Sequence, residues 1–362
     1  MQAIEIKNIA THTEAKRQLE ICNACRYCES YCSVFSVLHG ENNLSEARLE
    51  HLANLCHNCR GCYYACQYTA PHEFNLNVPQ ALAKLRQHTW HHYVYPSKVA
   101  QLFHRNGMAL SALLVLVLVF LSWFVRQPVG GTALNFYDYM PHNTMVLIFG
   151  VAFILPLLSL AIGLKRYWTG IGGEPLKANH WLGAARSVFF MKNLSGGHGD
   201  GCNFEDEDRF SNARRYAHQA TAFGFLLCFA ATSVATVMHY AMNLPAPYSL
   251  LSAPKLLGVT GGVLLSGGSL ALAYLKLKAD KQLSDASVWG GEMAFVVLLF
   301  WVSTSGLLLY GLGHTQWLGT LLSFHLATVF TLFVLLPYSK MSHGFFRMAA
   351  LLREQQLLSA KP

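Results

Sequence analysis

The feature that most constrains this chain is a series of six apolar stretches separated by polar connections. They cover residues 108–125, 144–164, 217–240, 254–275, 290–313 and 320–338. At about 1.5 Å per helical residue, each is long enough to cross a hydrocarbon layer about 30 Å thick. Charged residues make up only 13% of the chain, about half the share in an ordinary soluble domain. The sequence therefore predicts a six-helix transmembrane bundle within residues 101–362.

Basic residues are concentrated in alternate connections between these stretches. The connections at 165–215 and 276–288 and the C-terminal tail hold most of them, whereas the other connections hold Arg126, with Lys255 at a boundary. Basic loops stay on the cytoplasmic side, and the N-terminus does not resemble a secretory signal peptide. We expect a multi-pass protein of the bacterial inner membrane with both termini in the cytoplasm. The net charge of +8 is too small and dispersed to indicate nucleic-acid binding.

Eight of the ten cysteines lie in two runs with the same C-x2-C-x2-C-x3-C spacing. In two-cluster ferredoxins, each iron–sulfur cluster takes three ligands from one run and the fourth cysteine of the other run. We predict one 4Fe–4S cluster held by Cys22, Cys25, Cys28 and Cys66. We predict a second held by Cys56, Cys59, Cys62 and Cys32. The alternative is zinc, although zinc sites favour two C-x2-C pairs on a longer loop.

The segment 1–100 is predicted to be a small helical two-cluster domain. Ser33 and Gln67 stand where proline usually follows such runs, so the spacing supports the number of clusters more directly than their crossed pairing. A predicted helix separates Cys32 from Cys56, which favours the helical modules of quinone-linked subunits over a compact ferredoxin with β-strands. The complete fold class is then all-α, with this domain followed by the bundle and its cytoplasmic loop 165–215.

Four histidines at the ends of predicted spans are candidate ligands of a b-type haem. His218 and His239 lie 21 residues apart in the third span, and His325 and His343 lie 18 apart at the last. Because these spans run in opposite directions, His218 is expected to face His343 on the cytoplasmic side and His239 to face His325 outside. Two imidazoles on neighbouring helices can hold haem without a covalent bond. We expect one haem, with two as the alternative.

Other polar residues have simpler interpretations. His142 and His314 lie on the outer side and could replace His239, whereas His88, His91 and His92 are interpreted as surface residues. Gly258 and Gly262 of the fourth span predict close helix packing. The glycine-rich loop 195–210 matches no phosphate-binding pattern and is interpreted as a docking surface, with the role of its Cys202 left open. The sequence contains no dinucleotide fingerprint and no obvious catalytic constellation.

Four segments carry a resemblance to the citrate/tricarballylate utilization protein B family. They are the paired cysteine runs, APHEFNLNVPQALAKLR (70–86), GGHGDGCN (196–203) and RFSNARRYAHQATAFGFLLCFAATSVATVMHY (209–240). The last span, HLATVFTLFVLLPYSKMSHGFF (325–346), is also similar to the last helix of the nitrate reductase gamma subunit, whose two histidines at the same separation ligate two haems.

The resemblance implies a membrane electron-transfer component of an oxidoreductase system. Its partner would be an FAD-dependent dehydrogenase that oxidises tricarballylate to cis-aconitate, and its acceptor the quinone pool. A related branch is fused to a flavoprotein of cobalamin synthesis, so this fold also suits another electron-transfer partner. A redox-sensing transporter is a minor alternative, because the spans hold almost no charged residue apart from Glu292, whereas charged substrates usually need such groups. A third alternative is a zinc-binding anchor that only docks a dehydrogenase.

Overall fold

A computed structural model describes residues 2–39, 43–125, 136–194, 202–203 and 209–360. The predicted all-α class is confirmed, because helices account for nearly all regular structure in these residues. The helices before the bundle are α1 (Gln2–Cys25), α2 (Ser33–Leu38), α3 (Glu46–Leu55), α4 (Gly61–Tyr64) and α5 (Val78–Tyr93). Two of them start at side-chain caps: Ser45 accepts a hydrogen bond from the Arg48 amide and Asn77 from the Gln80 amide, which satisfies amides that a helix start leaves unpaired.

The six long apolar helices are also present. They are α6 (Ser97–Val125), α8 (His142–Gly170), α10 (Ala213–Ala241), α11 (Ala253–Lys278), α12 (Trp289–Leu312) and α13 (Leu318–Leu335). All six are long and apolar enough to cross a membrane. Large apolar side chains stay exposed along them, among them Leu116, Phe124 and Leu147, and such a surface is stable in lipid. The first of these helices begins before its apolar stretch and is kinked at Asn106.

Short elements join these helices. They are α7 (Phe136–Tyr139), α9 (Ala178–Phe189), α14 (Ser342–Ser359), the 3-10 turns Lys192–Leu194, Lys281–Leu283 and Ala286–Val288, and the strands β1 (Cys202–Asn203) and β2 (Phe210–Ser211). The two strands pair antiparallel. Of the glycine-rich loop 195–210, the structure describes only Cys202, Asn203, Arg209 and Phe210.

Helices α10 and α11 pack backbone against backbone. A Cβ atom added at Gly224 would lie 2.4 Å from the Leu265 amide nitrogen, and one added at Gly268 would lie 2.6 Å from the Thr221 amide nitrogen. The predicted close packing is confirmed at Gly262, where an added Cβ would lie 2.9 Å from Leu307 of α12. It is not confirmed at Gly258, where an added Cβ would meet Ala231 only at an ordinary 3.6 Å.

The helical domain at the N-terminus shares its core with later parts of the chain. Leu49, Leu52 and Leu82 pack in one buried cluster with Ala184 of α9 and Leu351 of α14. His51 also makes a 2.9 Å hydrogen bond to the Ala350 carbonyl. The core of the segment 1–100 therefore includes side chains of α9 and α14, while its boundary near residue 100 stays a prediction. The sequence does not predict the packing of α14 against this domain, because α14 follows the last span as an ordinary polar tail.

The loop between α11 and α12 also touches this domain. The Asn77 side chain donates a 3.0 Å hydrogen bond to the Gln282 carbonyl, and Arg60 donates a 3.3 Å bond to the Asp280 carbonyl. Together with the contacts of α9 and α14, these bonds place three basic connections at the same end of the bundle as the cysteines.

Candidate functional site

The first cysteine set consists of Cys22, Cys25, Cys28 and Cys66. The first two lie at the end of α1, Cys28 lies in the turn after it, and Cys66 lies just after α4. Burial, followed by the neighbouring thiols of Cys66, Cys28 and Cys25, raises the pKa of Cys22 to about 12. Burial and then the same neighbours, Cys66 and Cys25, raise the pKa of Cys28 to about 12. The four thiols line a cavity of about 360 Å³, and Cys25 is exposed. These four residues therefore form one electrostatically coupled group.

The second set surrounds a smaller cavity between α2, α3 and α4. Its lining includes the thiols of Cys32, Cys56, Cys59 and Cys62. Burial, and then Cys59 and Cys56, raise the pKa of Cys32 well above its usual value. The pKa of Cys62 is raised by the same causes, with smaller effects from Cys32 and from Cys28 of the first set. The two sets are thus separate groups that meet at Cys28 and Cys62.

The donor sets fit iron–sulfur clusters. The structure groups the eight cysteines as the crossed pairing predicts, while ligation itself stays a prediction. Burial and, after it, the neighbouring thiols raise these pKa values, and a cationic iron core would favour the thiolate form that both effects disfavour. The backbone prepares these sites: Asn58 has a left-handed φ of 55°, and its amide donates a 3.4 Å hydrogen bond to the Cys56 sulfur. Amide donors of this kind stabilise a thiolate and tune a cluster.

The structure brings His218 and His343 together. Their ring centroids are 5.9 Å apart, with the ring planes at 86°. Nδ1–H of His343 donates to the Lys340 carbonyl, which leaves Nε2 free to bind a metal. His218 and His343 are thus the two neighbouring imidazoles that would hold a b-type haem, while haem ligation itself stays a prediction.

The charge state of His343 agrees with such a role. Burial, and then the cationic Arg347, lower the pKa of His343 well below its usual value. The imidazole is therefore neutral at physiological pH, which is the form that binds a metal. Across the pair, the Nδ1 atom of His218 is buried and has no hydrogen-bond partner among the described residues.

The outer histidines are arranged differently from the expectation. His239 stacks on His142, with centroids 4.3 Å apart and planes at 14°, whereas His325 lies 3.0 Å from the Ser305 hydroxyl through Nδ1. No ring contact joins His239 to His325 among the described residues. The His325 ring instead faces α12, where a Cβ added at Gly306 would lie 3.1 Å from Cε1 of His325.

Two half-buried arginines connect the second cysteine set to the histidine pair. Arg347 of α14 donates a 2.7 Å hydrogen bond to the Cys56 carbonyl. Arg214 of α10 donates a 2.8 Å bond to the Asn58 carbonyl. The intervening His57 is half-buried, and burial, then the cationic Arg347, lower the pKa of His57 well below its usual value, with a smaller effect from His218. Sequence reasoning missed these residues; the only available signal was their spacing, since each arginine lies four residues from a candidate haem ligand.

Two other interpretations change with the structure. His88 and His91 are not surface residues, because each has a buried ring nitrogen without a hydrogen-bond partner among the described residues; His92 is exposed. Glu292 forms ion pairs with Lys276 at 2.5 Å and with Lys340 at 2.6 Å. The acidic residue that could suggest transport is therefore neutralised by two bases, which weakens the transporter alternative.

Comparisons with known proteins identify the family of the chain. A family model described as "Citrate utilization protein B" matches residues 96–361, and a model of the Fer4-like domain of the same protein matches residues 15–92. The chain is 39% identical over 346 residues to "Citrate utilization protein B" of Escherichia coli, covering 94% of this chain and 91% of that protein. No solved structure matches the chain.

Proposed function

Because the chain belongs to the citrate utilization protein B family, we propose that it is a membrane electron-transfer subunit serving a partner dehydrogenase. Two 4Fe–4S clusters and a b-type haem would supply one-electron carriers between a donor flavin and the quinone pool. The partner would be an FAD-dependent dehydrogenase, with tricarballylate oxidation to cis-aconitate as the expected reaction by resemblance. Electron supply to cobalamin synthesis is the alternative use of the same arrangement.

The observation that carries this proposal is the direct link from the second cysteine set to the histidine pair. Arg214 and Arg347 both bind the Cys56–Asn58 segment, and each lies one helical turn from His218 or His343. The link holds the cysteine loop against the ends of the two helices that present the imidazoles. The second set is therefore the cluster site next to the haem site.

The first cysteine set has the features of an entry point. Cys25 is exposed, and the neighbouring Tyr27 is 67% exposed. A partner flavin can approach the first set because it is accessible, whereas the second set is covered by α2, α3 and α4. The basic connections at this end of the bundle support a cytoplasmic location for the partner.

The axial ligands can be tested by replacing each histidine with alanine. In purified full-length protein, His218→Ala and His343→Ala should lose haem and quinone reduction, because no covalent bond compensates for a missing axial ligand. His314→Ala is the matched control, since this histidine is exposed at the outer end. Retention of full haem and activity in both inner variants, with loss in His239→Ala or His325→Ala, would reverse the proposed order.

The cluster sites need a separate measurement. Cys25→Ser and Cys59→Ser should each lose one cluster, detected as iron content and as the disappearance of a different electron paramagnetic resonance signal. Zinc in place of iron in the wild type would support the anchor alternative instead.

A further inference from the structure

We propose that His12, Glu50 and His88 form a binding site for a divalent transition-metal ion of the zinc class, distinct from the cysteine sets. The three side chains come from α1, α3 and α5, and one ligand atom from each lies within 4.8 Å of the others. Nε2 of His12 is 4.0 Å from Oε1 of Glu50, and the two imidazole rings have centroids 5.1 Å apart.

The donor set suits zinc chemistry. Two imidazoles and one carboxylate are a known three-ligand set for Zn²⁺, which leaves a fourth position for water. A tetrahedral ion with bonds of about 2.0–2.1 Å brings its ligand atoms to about 3.4 Å from one another. The three atoms must therefore approach one another by up to about 1.4 Å, a distance within the reach of side-chain rotation.

The surroundings point to a ligand rather than to a hydrogen-bonded cluster. Glu50 is only 8% exposed, and a buried carboxylate needs a compensating partner. Nδ1 of His88 is buried and has no hydrogen-bond partner among the described residues. His92 is the other nearby base and lies against His88 at 6.1 Å.

A neighbouring tyrosine orients the carboxylate. The Tyr93 hydroxyl donates a 2.8 Å hydrogen bond to Oε2 of Glu50, which leaves Oε1 facing His12. Outer partners of this kind are typical of metal sites, where they fix the ligand geometry. The bound ion would tie together α1, which carries Cys22 and Cys25, α3, which ends at Cys56, and α5, which leads into the membrane. Its role would be to hold the helices that bear the two cysteine sets.

Zinc binding to the full-length protein in detergent tests this site. After chelator treatment and exchange with Zn²⁺, we expect one tightly bound zinc per chain in the wild type and in His92→Ala. We expect its loss in His12→Gln and His88→Ala, with iron content unchanged. Tyr93→Phe keeps all three ligands and should weaken zinc binding about 10-fold; it tests the site even if the His88 variant does not fold.

The zinc X-ray absorption spectrum separates this site from the cysteines. It should show nitrogen and oxygen ligands at about 2.0–2.1 Å and no sulfur at about 2.3 Å. Sulfur ligation, equal zinc content in all variants, or no stoichiometric zinc in the wild type would each overturn the proposal.

Discussion

A methyl group added at Gly268 should separate the two helices that pack most closely in the bundle. The added Cβ would lie 2.6 Å from the Thr221 amide nitrogen and 2.9 Å from the Ala217 carbonyl oxygen. Ordinary contact begins near 3.4 Å, so α10 and α11 must move apart by about 0.8 Å. Overpacking of this kind costs about 1–3 kcal/mol, whereas alanine gains at most about 1 kcal/mol over glycine in a helix. The net change is a loss of stability.

The adjacent glycine provides a matched control. An added Cβ at Gly267 meets no atom within 4 Å, so Gly267→Ala should gain helix propensity and lose nothing. Thermal unfolding in detergent should therefore show a lower midpoint for Gly268→Ala and an equal or higher one for Gly267→Ala. Because Ala217 and Thr221 flank His218, haem content should fall only in Gly268→Ala. Equal midpoints and equal haem content in the two variants would refute the close helix contact.

Three further predictions concern the domain and its orientation. Leu351→Ala, outside 1–100, should destabilise the cysteine domain by about 2–5 kcal/mol, seen as a lower denaturation midpoint and faster iron loss; exposed Leu358→Ala is its control. Reporter fusions after residue 215 should be cytoplasmic and those near Pro245 periplasmic; the opposite result would invert the orientation. Stability should fall as the pH drops from about 6.5 towards 4, because burial lowers the pKa of His51 to about 3 in the folded state while the unfolded state takes up a proton near pH 6.5. His51→Gln should reduce that slope in acid denaturation curves.

Local spacing was enough to predict some features and not others. The two cysteine sets could be predicted because the spacing of the cysteines within each short run is read directly from the sequence. The pairing of His218 with His343 follows from span direction, since both lie at the same end of antiparallel helices. The partner of His239 cannot be predicted from span direction, because the pairing depends on which helices are neighbours in the bundle. Packing sets that order, with His325 turned towards α12 and His239 stacked on His142 of α8, and hydropathy does not predict which helices become neighbours.

Burial was also hard to predict where polar residues face other helices. His88 belongs to a stretch that reads as an exposed, aromatic-rich connector, yet α1 covers it and brings His12 to within ring contact. The tail after the last span similarly shows no long apolar run, so the sequence did not predict that α14 contributes to the core of the cysteine domain. In both cases the covering element lies far away in sequence.

One helix, α14, joins the cysteine domain to the bundle more firmly than a linker could. His343, Arg347 and Leu351 are spaced by four residues and therefore lie along one face. The first meets His218 of α10, the second binds the Cys56 carbonyl, and the third enters the domain core. The separation between the second cysteine set and the histidine pair is therefore fixed by fewer than three turns of a single helix. A docking partner cannot lengthen that separation by tilting the domain without first breaking this packing, so a docking partner should control electron flow at the exposed first set.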